Sequence, residues 1–111
     1  MGSFYRLQIQ CDLKKMERLD LILGQSNDSS NVGWSLIVEE DSPNFTSALH
    51  IFIDLLTANL TRLKEIGISM DEICFWYMYE YEHQCNIEFS PEITKRIGEL
   101  GIVLCISCWE K

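Results

Sequence analysis

Glu72-Ile73-Cys74-Phe75-Trp76-Tyr77-Met78-Tyr79-Glu80-Tyr81-Glu82 is a long β-rich run whose reading decides the fold. Aromatic and β-branched side chains suit a pleated, half-buried surface, and here they alternate. Ile73, Phe75, Tyr77, Tyr79 and Tyr81 fall on one face of an extended strand. Cys74, Trp76, Met78, Glu80 and Glu82 fall on the other. The run predicts a turn over Glu82 to Gln84. A returning strand then carries Cys85, Ile87 and Phe89 on one face and Gln84, Asn86 and Glu88 opposite. On that hairpin Glu80, Glu82 and Glu88 share a surface.

Upstream, Phe4 to Cys11 alternates in the same way, with Tyr5, Leu7, Ile9 and Cys11 on one face. Asp12 is placed to cap a helix that runs to Leu23, turns Leu13, Met16, Leu19 or Leu23 inward, and stops at Gly24. Gln25 to Gly33 reads as a polar loop and Trp34 to Glu39 as a second strand. Ser42-Pro43 has the cap-then-proline pattern of a helix start. From there Phe45, Leu49, Phe52 or Ile53, Leu56, Leu60 and Leu63 recur at three- and four-residue spacing as far as Gly67, which predicts one long helix with a core face. Downstream, Ser90-Pro91-Glu92 opens another helix with Ile93, Ile97 and Leu100 inward. Gly101 ends it, and Ile102 to Trp109 forms the last strand. The expected architecture is a single α+β domain over residues 1–111, with a ferredoxin-like mixed sheet in the order β-α-β-α-β-β-α-β. Helices this long beside strands this few belong on one face, which leaves the other face open.

The chain has 111 residues and a net charge of −8. Such a balance repels nucleic acid, whose affinity rests on phosphate neutralisation. The acids are also unevenly spread. No Lys or Arg lies between Arg18 and Arg62, a stretch that holds Glu39, Glu40 and Asp41, nor between Lys64 and Lys95, which spans the β-rich run. A field of this kind solubilises the chain or steers a basic partner.

Five cysteines are an odd number, and no stretch reads as a secretory signal or as a membrane span. Free, packing thiols and a cytoplasmic location are expected. Cys105-x-x-Cys108 resembles a metal or redox motif, but positions three apart on a strand point to opposite faces and cannot chelate one ion. His83 and Cys85 form a nominal nucleophile–base pair with no third group to orient the base. Alternating glutamates on a hairpin read as its wet face rather than an acid/base set. Neither catalysis, nor a metal, nor a cofactor is expected.

Trp34-Ser35-Leu36, the long helix after it, Phe89-Ser90-Pro91-Glu92 and Glu99-Leu100-Gly101-Ile102-Val103-Leu104-Cys105-Ile106 resemble a bacterial domain-of-unknown-function family, number 4279, over about Trp34 to Trp109. The resemblance implies a ferredoxin-like sheet without established catalytic residues. It also implies a role of the immunity type, in which a small bacterial protein neutralises a toxin domain. A compact acidic binder suits a basic nuclease, whose active site is built for phosphate. The candidate anchors are Trp76, Tyr79, Tyr81 and Trp109, ringed by Glu39, Glu40, Asp41, Glu80, Glu82 and Glu88. The competing expectation is a homodimeric structural or small-ligand-binding module.

Overall fold

The computed structural model describes residues 2–26, 33–39 and 46–111. Strand β1 (Phe4–Ile9) is followed by helix α1 (Leu13–Leu23), strand β2 (Trp34–Glu39), helices α2 (Thr46–Thr57) and α3 (Leu60–Glu65), strand β3 (Ile73–Tyr81), helix α4 (Pro91–Leu100) and strand β4 (Val103–Glu110). A single 3-10 turn, Met70–Glu72, leads into β3. The strands form one mixed sheet in the order β2-β1-β3-β4. β1 pairs antiparallel with β2 and with β3, and β3 pairs parallel with β4.

The α+β class is as expected, but the sheet has four described strands instead of five. No returning strand forms at Cys85 to Phe89. Both hydrogen-bonding edges of β3 are already taken, one by β1 and the other by β4. Parallel pairing needs a crossover, and α4 supplies it. The intervening segment therefore packs instead of pairing: Ile87 and Phe89 lie against the core, and the Phe89 ring meets Tyr77 edge-on at 6.4 Å. His83, at φ 63, turns the chain out of the strand, with Gln84 N donating to the Glu82 carbonyl.

Helix ends follow the capping chemistry read from the sequence. Asp12 Oδ1 accepts from Lys15 N at 2.9 Å, and Ser90 Oγ accepts from Ile93 N at 3.3 Å. Gly101 closes α4 in the left-handed conformation at φ 73. Ser42, Pro43 and Phe45 lie outside the described residues. The single long helix is in fact two. Asn59 leaves helical geometry at φ −126, and its side chain donates to the Leu55 carbonyl at 2.8 Å. An asparagine that bonds back onto the preceding turn competes with the backbone ladder, and the helix restarts at Leu60.

One face of the sheet carries the core. Tyr5, Leu7 and Ile9 of β1, Trp34 of β2, and Ile73, Phe75 and Tyr77 of β3 are buried in one cluster with Leu19, Leu49, Phe52, Ile53, Leu56, Leu63, Ile93 and Ile97 of the helices. Phe52 tilts onto Phe75 at 5.5 Å, and Tyr5 stacks on Tyr77 at 4.4 Å. Trp34 is fully buried, and its indole N–H donates to the Gly24 carbonyl at 3.0 Å, which ties β2 to the end of α1. Leu13 was expected to turn inward but is 78% exposed. It sits at the first helical position, a turn short of where α1 meets the sheet, and Leu19 makes the buried contact instead.

Leu19 and Leu21 lie two residues apart on α1 but are 0% and 88% exposed. Leu19→Ala should cost about 2–5 kcal/mol, and Leu21→Ala no more than about 0.5 kcal/mol. Urea denaturation of the two variants measures the difference.

Candidate functional site: the open face of the sheet

The described helices contribute their buried side chains to the other side of the sheet, and no described helix packs on this one, where Phe4 and Ser35 are nonetheless buried. Pairing register sets them in rows across the four strands. Glu39, Phe4, Met78 and Ser107 form one row. Ile37, Arg6, Trp76 and Cys105 form the next, and Ser35, Gln8, Cys74 and Val103 the third. Glu80 and Trp109 are paired beyond the first row, where Ser3 Oγ accepts from Glu80 N at 3.0 Å. Four strands at about 4.8 Å spacing make this surface roughly 15 Å across.

Of the residues singled out from the sequence, the fold brings Glu39, Trp76, Glu80 and Trp109 together here. The Trp109 indole N–H donates to Glu80 Oε2 at 3.3 Å, which orients both side chains. Tyr79 and Tyr81 belong to the opposite face, where their rings continue the stack begun by Tyr5 and Tyr77. Glu82 stands at the end of β3 and is paired with Lys111 Nζ at 3.4 Å, a cation supplied from the chain terminus. Without a hairpin, Glu88 does not share a surface with Glu80. It lines a cavity of about 300 Å³ with Tyr5, Tyr77, Tyr79, Asn86, Ile87 and Phe89 on the helix side. Glu40 and Asp41 lie outside the described residues.

Other contributors were not evident in the sequence because they depend on strand pairing. Arg6 lies with its guanidinium 5.8 Å over the Phe4 ring, which spreads a cation across the middle of the face. Asp71 and Glu72 join Gln8, Gln10, Trp76 and Val103 around a concavity of about 310 Å³ at one end. Glu72 is held there by a capping box, its Oε1 accepting from Ser69 N at 3.0 Å. Carboxylates thus stand at both ends of a mixed strip with Arg6 at its middle.

Trp76 carries a further signal. Its Nε1 is buried and has no hydrogen-bond partner among the described residues. A buried donor left unpaired costs about 1–3 kcal/mol. Trp34, equally large, has its N–H satisfied by Gly24, so an unpaired indole is not a general feature of this fold.

Cys105 and Cys108 point to opposite faces, as strand alternation requires. Each meets a different cysteine. Cys105 Sγ lies 3.4 Å from Cys74 Sγ on the open face, and Cys108 Sγ lies 3.7 Å from Cys85 Sγ on the other. No hydrogen bond joins Cys85 to His83 among the described residues. No cluster of three or more His, Cys, Asp or Glu side chains is placed to hold a metal ion among the described residues. Among the described residues no helix is long and apolar enough to cross a membrane.

Comparison with protein-family models, with curated proteins and with solved structures finds no match to this chain.

Burial, and then the adjacent Cys105 thiol, push the Cys74 thiol up to about 12 from 9.0. The unfolded chain gives up this proton near 9.0, while the folded chain holds it to about 12. This contribution to stability is therefore complete below the lower value and is lost as pH rises through the higher one. Thermal melts through this alkaline range should show a falling midpoint, and Cys74→Ala should flatten the fall.

Proposed function

We propose that the chain is an immunity protein: a small binding module that covers and inhibits a cognate bacterial toxin domain, a basic nuclease, through the open face of its sheet. One observation carries the reading. Two half-buried tryptophans, Trp76 and Trp109, share the sheet face away from the core helices with Glu39 and Glu80 in a chain of net charge −8. Aromatic anchors within a polar rim are the usual anatomy of an interface hot spot. A ligand-binding role is favoured by a separate feature, the tyrosine-lined cavity of about 300 Å³ on the helix side, which is at the lower end of small-molecule sites.

The two readings use opposite faces, so substitutions separate them. Glu39→Gln with Glu80→Gln should leave the fold intact and weaken capture of the toxin domain encoded by the adjacent reading frame. Interfacial charge pairs are worth about 1.5–7 kcal/mol, so a tenfold loss or more is expected. Glu88→Gln, on the other side, should leave affinity unchanged. Association should slow steeply as salt rises, with dissociation changing less. Trp76→Phe removes the unpaired donor and should keep stability within about 1 kcal/mol while weakening the complex. Equal affinity of the Gln pair and the parent, with rates insensitive to salt, would remove this face from consideration.

A further inference from the structure

We propose that Cys85 and Cys108 are a redox-active pair, oxidised by a low-molecular-weight disulfide to an intramolecular disulfide that clips the segment between β3 and α4 onto β4. Both residues are exposed, and their sulfurs lie 3.7 Å apart. Bond formation requires an approach of about 1.6 Å. Cys85 lies outside the sheet ladder, in the stretch between β3 and α4 that forms no regular element. Its backbone has no strand register to break, so it is free to make that approach.

The exchange balances without any other reactant. One thiolate of the pair attacks the small disulfide, forming a mixed disulfide and releasing one small thiol. The second protein thiolate then attacks the protein sulfur of that mixed bond and expels the second small thiol. Two electrons pass from the protein pair to the small disulfide, and the two protons end on the released thiols.

The second pair differs in exposure and in backbone setting. Cys74 and Cys105 are half-buried, and both stand in hydrogen-bonded strands that resist the shift a bond requires. Burial and a neighbouring thiol raise both Cys74 and Cys108, so exposure and backbone freedom, and not thiol acidity, separate the two pairs. This pair stays reduced where the exposed pair reacts. Cys11, the fifth thiol, has no cysteine within reach among the described residues.

Closure has a structural consequence. Asn86, Ile87, Glu88 and Phe89 form one wall of the tyrosine-lined cavity, and Cys85 immediately precedes them. Joining Cys85 to Cys108 anchors that wall to the sheet.

The test treats the 111-residue chain with oxidised glutathione at neutral pH, blocks the remaining thiols by alkylation and maps the peptides by mass spectrometry. The expected product is monomeric, carries a single Cys85–Cys108 bond, has Cys11, Cys74 and Cys105 alkylated, and reverts with reduced glutathione. Cys85→Ser and Cys108→Ser should each give only a glutathione adduct on the surviving partner. Amide exchange over residues 84–90 should slow several-fold in the oxidised protein. A Cys74–Cys105 bond formed first, intermolecular links, persistent mixed disulfides in the parent, or unchanged exchange over 84–90 would each overturn the proposal. These readouts do not involve a toxin, so their failure is distinguishable from failure of the immunity reading.

Discussion

β3 is hydrogen-bonded along both edges, to β1 in the antiparallel sense and to β4 in the parallel sense. With both ladders occupied, nothing that follows β3 in the chain can pair with it. The segment from Glu82 to Ser90 must leave the sheet, cross over and start α4. The same seating fixes the two faces. Ile73, Phe75 and Tyr77 face the helices and are buried, which commits Cys74, Trp76, Met78 and Glu80 to the uncovered side. A one-residue slip of β3 would exchange those sets and expose the core, so the composition of the open face is held in place by the energy of the buried one.

Local chemistry was legible in the sequence wherever the physics is local. Asp12, Ser90 and Gly101 act within one turn of their own positions, and each does what its residue type predicts. Alternation in β1 and β3 identified the buried residues because period two follows from the strand itself. Non-local facts were not legible. Cys85-Asn86-Ile87-Glu88-Phe89 has the alternation of a strand, but whether it pairs depends on which edges of β3 are vacant, and that is decided by β4 some fifteen residues later. Asn59 sits in an unbroken apolar stripe, and only its bond to the Leu55 carbonyl reveals the break in the helix. The candidate surface divided along the same line. Trp76 and Glu80 were placed correctly together by their own strand, whereas the grouping with Glu88 assumed a hairpin partner that never forms.

The open face combines features that would be a liability on a surface with no role. Half-buried Trp76, Met78 and Trp109 stand beside exposed Val103, and an indole donor is buried without an acceptor among the described residues. Trp109 shows that the fold can supply acceptors on this face, since Glu80 receives its N–H. Trp76 is flanked along its row by Arg6, a donor, and by Cys105, a weak acceptor at best. Neither row neighbour accepts its N–H. Carboxylates from Glu39, Glu80, Asp71 and Glu72 stand around this strip, with the Arg6 cation between them.

Strand alternation also decides the chemistry of the cysteines. Spacing of three residues on β4 excludes Cys105 and Cys108 from one metal ion, and it sends each to a different partner. Both pairs have nearly the same sulfur separation, so distance does not distinguish them. Environment does. One pair is locked in register on two neighbouring strands and half withdrawn from solvent. The other joins a strand to a segment that took no place in the sheet. The failure of that segment to pair with β3 is thus what leaves Cys85 free to reach Cys108. It also puts the reactive pair on the face opposite Trp76 and Trp109, although Cys108 directly precedes Trp109 on β4.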